Sequence, residues 1–321
     1  MFTLEVLKAK HGDCLILRHG LKQAPRNILI DGGPSGVYSK FLRPRLTTMR
    51  RGKQPVRLDL VMVSHLDHDH IRGIIDLFRE AADKDDRERL DVRISALWHN
   101  AFERFTPEPS SEDAETAALQ VADTAKSIAD ISDPDIDLVL EKHTKLVLSS
   151  VKEGLTLQEL ARKLAVKINP DAESGLVLAG HQITSGDLTL EVIGPTRDDA
   201  DDLKKKWDKE VEKLLAKEKE EQMEAADYLD RSVFNLSSLV VVARAEGKSM
   251  LLTGDARGDK VLDNLRTHGL MDENDQVHFD LVKLPHHGSD RNVDDDFFEK
   301  VIADHYVISG DGRHHNPEID T

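Results

Sequence analysis

The chain has 321 residues, a formal net charge of −16, and 39% hydrophobic against 32% charged residues. That length allows one large core or two smaller ones; the acidity argues against a surface that coats nucleic acid by neutralising phosphates; and no apolar run approaches the roughly 18 to 20 residues needed to span a bilayer. The single cysteine, Cys14, excludes an internal disulfide and a Cys-rich zinc cage, and the N-terminus alternates like a strand, so the expectation is a cytoplasmic protein without a signal peptide that holds any metal with His and Asp.

Taken in order, Phe2–Leu7, Asp13–Arg18 and Asn27–Ile30 read as strands, with His11-Gly12 and Gly20 marking turns. Asp31-Gly32-Gly33-Pro34 then breaks the third strand. Two adjacent glycines let the backbone pass close to a ligand or a neighbouring loop, although a simple turn explains them equally well. From Lys40 to Arg57 seven basic residues occur with no acidic one between them. Guanidinium groups suit phosphate geometry, which makes Arg43, Arg45, Arg50, Arg51 and Lys53 candidate phosphate-binding residues. The competing reading is an exposed basic face that balances acidic surface.

The apolar run Leu58–Val63 predicts a buried strand. It ends in Ser64-His65-Leu66-Asp67-His68-Asp69-His70, after which Ile71, Ile74, Ile75 and Phe78 recur at helical spacing. Three imidazoles and two carboxylates within six residues are an expensive way to fill a core. A strand-to-helix junction is also where open α/β folds place their chemistry, so the stretch is read as metal-binding.

Val92–Trp98 predicts another strand, delivering His99 and Asn100 as candidates for metal or substrate contact; a hydrogen-bonded surface histidine is the simpler alternative for His99. Residues 102–232 differ in character. Helices are predicted at Glu112–Ile131, Leu157–Lys167 and Asp201–Leu229, the second opening with a Thr156-to-Glu159 capping box, and a strand at Leu188–Ile193 is closed by Gly194-Pro195. The expectation is one domain over 1–321, an α/β core carrying a charged, largely helical insertion at 102–232 that could recruit a protein partner.

Asn235–Arg244 and Ser249–Leu252 predict a hairpin that delivers Thr253-Gly254-Asp255. Asp280–Leu284 delivers Pro285-His286-His287-Gly288-Ser289, and His305–Ser309 delivers a Gly-rich stretch in which His315 could approach the cleft. Several strand ends converging on His and Asp outweigh any one of them. Asn316-Pro317-Glu318 reads as the cap of a helix that stops at Thr321, implying a lost last helix or a longer natural protein.

These residues resemble the metallo-β-lactamase fold superfamily, whose signature is His-x-His-x-Asp-His followed by distant Asp and His ligands. More narrowly, His65-x-Asp67-x-Asp69-His70, Leu251-Leu252-Thr253-Gly254-Asp255 and His286-His287-Gly288-Ser289 are similar to the hydrolase domain of ComEC competence proteins, as are Asn235–Leu239, Gly12-Asp13 and Asp31-Gly32-Gly33. The resemblance implies a four-layer αββα sandwich with one or two Zn²⁺ ions. It further implies His65 and Asp67 at a first site, Asp69, His70 and His287 at a second, Asp255 bridging, and His286 against a substrate oxygen. Asp67 stands where the family has a second histidine, which should tolerate Mn²⁺ or Fe²⁺ better. No equivalent of the family's third histidine is evident, so the second site should be the better formed. His68 is expected outside the ligand set.

The implied activity is metal-dependent hydrolysis by a metal-bound hydroxide, with Asp69 and Asp255 orienting it. The leading substrate is a phosphodiester, in nucleic acid or a small nucleotide. A non-nucleotide ester or lactone, or a non-enzymatic scaffold, are the alternatives.

Overall fold

The computed structural model describes residues 1–83, 85, 89–100, 152–202, 237–290, 292–312 and 317. The first half supplies strands β1 (Phe2–Val6), β2 (Leu15–Leu21) and β3 (Ala24–Ile30), helix α1 (Arg43–Met49), strands β4 (Val56–Leu58) and β5 (Leu60–Met62), helix α2 (His68–Ala82), and strands β6 (Val92–Ile94) and β7 (Ala96–Trp98). Then follow a helix at 152–163, α3, and strands β8 (Lys167–Ile168), β9 (Gln182–Ser185), β10 (Leu188–Gly194), β11 (Val240–Ala245) and β12 (Lys248–Leu252). Helix α4 (Gly258–Thr267), strand β13 (Val277–Lys283), helix α5 (Asp295–Lys300) and strand β14 (Val301–Val307) complete the described chain.

The strands form two six-stranded sheets, ordered β1-β2-β3-β5-β7-β8 and β14-β13-β12-β11-β10-β9, beside a small β4-β6 pair. Both faces of each sheet are covered, which is why the central strands read as continuous apolar runs. In β2, Leu15 and Leu17 join Leu190, Val192, Val241 and Leu252 in the core between the sheets, whereas Ile16 packs outward with Ile71, Ile74, Ile75 and Phe78 of α2 and Leu157 of α3. On the other side Val240 and Val242 meet Val261 and Leu265 of α4 and Phe297 of α5. Helix, sheet, sheet and helix therefore stack as the expected αββα sandwich.

Three local expectations change. The runs Leu58–Val63 and Val92–Trp98 each divide into two strands, so that β4 and β6 pair with each other while β5 and β7 enter the first sheet; Asp59, at the first break, accepts the Asn27 amide at 3.0 Å. Thr156 is no cap, because α3 already runs from 152 and the Thr156 hydroxyl donates back to the Lys152 carbonyl at 2.7 Å. The described part of 102–232 is not an added helical body: β8 extends the first sheet, and β9 and β10 extend the second, since Leu188, Leu190 and Val192 alternate into the shared core. The helix expected at Glu112–Ile131 and nearly all of that at Asp201–Leu229 lie outside the described residues, as does His315.

Parallel pairing sets where the chemistry goes. In β3, β5 and β7 the chain runs the same way, and so it does in β12 and β13. Asp31, His65 and His99 thus follow strands that end together in one sheet, and Asp255 and His286-His287 follow strands that end together in the other.

Candidate metal centre

Two glycine contacts seat the start of α2. A Cβ on Gly73 would lie 1.9 Å from the Gly32 carbonyl oxygen, and one on Gly32 would lie 2.3 Å from the Ile74 nitrogen. The loop after β3 therefore presses directly on the helix, with the Gly32 amide donating to the His70 carbonyl at 2.8 Å and the Gly73 amide donating to the Gly33 carbonyl at 3.0 Å. Close approach, one of the two readings of Gly32-Gly33, is what the structure uses.

That contact holds His70 beside Asp255, with Nε2 3.3 Å from Asp255 Oδ2. His65 Nε2 lies 3.8 Å from the same oxygen, His287 Nε2 3.4 Å and His286 Nε2 3.8 Å. The histidine pair sits in a turn, Pro285–Gly288, where His286 and His287 adopt φ of +46° and +57°. Left-handed backbone at a non-glycine residue costs about 1–3 kcal/mol and persists where its surroundings enforce it; here it turns both rings toward Asp255. Asp67 Oδ2 is 3.6 Å from His65 Nε2, and Asp69 Oδ2 is 3.9 Å from His287 Nε2.

The far sides of the rings are held. Asp31 accepts from Ser64 through both its oxygens at 2.7 Å, backbone amide and hydroxyl, and lies 2.9 Å from His70 Nδ1. Ser64 Oγ also lies 3.0 Å from His65 Nδ1. Asp13 Oδ1 is 3.3 Å from His287 Nδ1. Carboxylates behind imidazoles orient the rings and raise their basicity as ligands.

What remains are buried Nε2 atoms of His65, His70 and His287 without a hydrogen-bond partner. Each such atom costs about 1–3 kcal/mol if nothing binds it. Four ligands about 2.0–2.1 Å from a zinc-sized ion stand roughly 3.3–3.4 Å apart at tetrahedral geometry, close to the His70 and His287 separations from Asp255. His65, His70 and Asp255 form one group, and Asp69, His70 and His287 another, whose ligand atoms lie within 4.8 Å of one another. The donor set fits a divalent metal.

Charge agrees with geometry. Burial alone would raise the Asp255 carboxyl, but His287 and His70 hold it well below the usual carboxylate range. Burial opposes charge on His70, yet Asp255 and Asp31 raise it well above the usual histidine value. For His287 burial is likewise outweighed by Asp255 and Asp13, which push it up to about 9. A cluster that attracts positive charge this strongly is equipped for a cation.

Asp13 and Lys283 complete the site without having been singled out as site residues. Lys283 is 1% exposed, and its Nζ lies 2.5 Å from Asp13 Oδ2, donates to the Gly254 carbonyl at 2.9 Å and stands 3.8 Å from Asp255 Oδ1. Burial depresses an ammonium, but Asp13 and Asp255 raise it. One face of Asp255 thus meets lysine and the other meets the imidazoles.

Other candidates are placed elsewhere. His68 bridges Ser35 Oγ at 3.0 Å and Glu153 of α3 at 3.1 Å. His99 belongs to neither group; its backbone is clamped by the Asn169 side chain, at 2.8 and 2.9 Å, and burial pushes its imidazole down to about 4. Asn100 exchanges two hydrogen bonds with the Val177 backbone, at 2.7 and 2.8 Å, so its described role is to hold the end of β7. The basic segment does not reach the cluster. Arg43 pairs with Glu80 at 2.9 Å, near the far end of α2; Arg45 pairs with Glu5 at 2.5 Å; Arg50 pairs with Asp91 at 3.6 Å. Arg51 donates to the Lys22 carbonyl at 3.3 Å, and Lys53 is exposed in the turn before β4, the end opposite His65.

Residues 26–132 match the family model described as the Beta-lactamase superfamily domain. That match covers about a third of the chain. The match contains His65, Asp67, Asp69 and His70, whereas Asp255 and His287 come from the second sheet. Among solved structures, the chain is similar at 12% identity to a protein of unknown function from Enterococcus faecalis V583, with a TM-score of 0.33 over 88% of this chain and 50% of that one, so it spans half that chain's length. It is also similar at 12% identity to the metallo-β-lactamase fold protein YhfI from Bacillus subtilis, with a TM-score of 0.36 over 96% of this chain and 98% of that one. No curated protein matches. No helix among the described residues is long and apolar enough to cross a membrane.

Proposed function

We propose that this chain is a metal-dependent hydrolase of the β-lactamase superfamily and, more narrowly, a phosphodiesterase acting on nucleic acid or a small nucleotide. The observation that carries the hydrolase reading is the set of three buried, unpartnered imidazole Nε2 atoms facing Asp255. Divalent ions held there would supply Lewis-acid polarisation and a nucleophile at neutral pH. His65, Asp67 and Asp255 would hold one ion, and Asp69, His70, His287 and Asp255 the other, zinc being the metal that imidazole and carboxylate ligands suit best. Because one imidazole nitrogen serves one ion, assigning His70 to the second leaves the first short of a histidine.

His286 is the residue placed for substrate. Its side chain is 21% exposed and its Nδ1 lies 2.7 Å from Asn292 Oδ1, which directs Nε2 toward the cluster. Its Nε2 would donate to a phosphoryl oxygen and stand within reach of the leaving oxygen. Support for phosphodiesters in particular is the ComEC-like arrangement of His65-x-Asp67-x-Asp69-His70 and His286-His287-Gly288-Ser289. A non-nucleotide ester or lactone is the second reading, favoured by the pairing of Arg43, Arg45 and Arg50 with carboxylates away from the cluster.

Hydrolysis of bis-p-nitrophenyl phosphate and of p-nitrophenyl acetate, each with Zn²⁺ or Mn²⁺ added, separates these readings. The expected result is metal-dependent diester cleavage that Asp255→Ala reduces to background while circular dichroism is unchanged. Cleavage of the acetate alone would move the assignment to carboxylic esters; metal bound without either activity would favour a scaffold.

A further inference from the structure

At the end of the first sheet opposite the metal centre lies a cavity of about 570 Å³, within the ~300–1,000 Å³ range of small-molecule sites. Arg18, Arg26, Arg51 and Arg57 line it, and Asp59 is the one carboxylate in its described lining. Asn27, the lining residue of β3 nearest the metal centre, stands four residues before Asp31, roughly 14 Å at the ~3.4 Å rise of a strand. Nothing bound in the cavity would touch the metal ligands.

These guanidinium groups differ from their neighbours in sequence. Arg43, Arg45 and Arg50 each meet a carboxylate. Among the described residues Arg18, Arg26, Arg51 and Arg57 form no ion pair: Arg26 donates to Ser185 Oγ at 2.5 Å and Arg51 to a backbone carbonyl. Arg18 is the most telling. It follows the outward-facing Ile16 on the same face of β2, is half-buried, and its buried Nε has no hydrogen-bond partner. An unmatched N–H of a charged group is costly to bury unless something completes it. In a chain of net charge −16, the side chains of Arg18, Arg51 and Arg57 against one aspartate make a local reversal of sign, while Arg26, on the inter-sheet face with Ile28 and Ile30, turns its guanidinium to Ser185 of β9.

We propose that this cavity binds a small molecule carrying two or more linked phosphoryl groups. Guanidinium forks match phosphate oxygens in pairs, and Met49, Pro25 and Pro55 add apolar wall for the body of such a ligand. An open pocket of this volume with a short basic lining suits a compact polyanion better than a polymer, which needs a continuous basic track. The inference is independent of the hydrolase reading, since no metal ligand takes part.

Isothermal titration of the full chain with inorganic pyrophosphate and with ADP, with divalent metal removed from protein and ligand, tests it. Saturable binding is expected, weakened about tenfold or more by Arg57→Gln and by Arg18→Gln. Arg57 is exposed, so its replacement leaves the fold intact, and a thermal melt checks Arg18→Gln. Arg266→Gln on α4, which breaks a pair with Asp275, should change affinity by less than about twofold. Tighter binding of ADP than of pyrophosphate would show the apolar wall in use; equal binding would show recognition of the anion alone. Absence of saturable binding by both probes overturns the proposal, as does binding that both arginine variants retain. Arginine-dependent binding of a single-stranded oligonucleotide, with no binding of the two small probes, would overturn it in favour of nucleic acid.

Discussion

The two ends of the first sheet handle charge in opposite ways. At the end where β3 and β5 finish, carboxylates and imidazoles are packed out of water, and their spare ring nitrogens face one aspartate oxygen. At the end where β3 begins, Arg26, Arg51 and Arg57 stay exposed, while Arg43 and Arg45 of the nearby α1 are neutralised by glutamates brought from elsewhere in the chain. Charged residues dense in sequence therefore say little by themselves. Burial and the absence of partners distinguish a site from a solvated face.

Lys283 gives the sharpest test of that contrast. Lys283→Met should destabilise the fold by about 3–5 kcal/mol, because it leaves Asp13 buried without its cation. Pairing it with Asp13→Leu should recover most of the loss, as measured by urea denaturation; no recovery would mean that Lys283 is held for its packing.

Gly73→Ala comes next. A methyl group forced against the Gly32 carbonyl should cost about 1–3 kcal/mol and loosen His70, so that metal retention falls together with stability. Retained metal in a destabilised variant would show that the glycine contact does not place the ligand.

The pH response of the metal-free protein is a smaller effect of definite sign. Asp255 and Asp13 outweigh burial to raise His287 from 6.5 to about 9 on folding. That contribution to stability is fully present below about pH 6.5 and is lost as pH rises through about 9. The urea midpoint of chelator-treated protein should fall across this window, and added Zn²⁺ should remove the fall, since metal binds the deprotonated ring.

The smallest effect belongs to the exposed end. Arg43→Gln should cost no more than about 1 kcal/mol and leave hydrolysis unchanged. A large loss of activity there would return the basic segment to the active site.

How much of this was legible follows from the range of each signal. Ile71, Ile74, Ile75 and Phe78 repeat within one helix, and His65 to His70 lie within one turn of chain, so local pattern was enough for α2 and its cluster. The αββα layering was implied by the family resemblance of the His and Asp motifs, whereas the apolar runs by themselves predicted only buried strands. Asp13 and Lys283 were harder, because each is meaningful only through a partner from the other sheet. The signals available were an aspartate directly before the apolar run Cys14–Leu17 and a lysine interrupting Leu281-Val282-Leu284 just ahead of the histidine pair. The two readings of the basic segment could not be separated for the same reason: Glu5, Glu80 and Asp91, which pair with it, are distant in sequence or follow intervening elements. Strands β8 and β9 were hidden by the charged sequence around them, whereas the strand predicted at Leu188–Ile193 is β10.

Metal content, measured by mass spectrometry after exhaustive dialysis of wild-type protein and of Asp255→Ala against a Zn²⁺ buffer, tests the central claim most directly. A buried divalent centre facing Asp255 predicts one to two ions retained per wild-type chain and a clear loss in the variant, with the melting temperature of the wild type lowered by chelator. A wild-type chain that retains no metal, and melts identically with and without chelator, would contradict it.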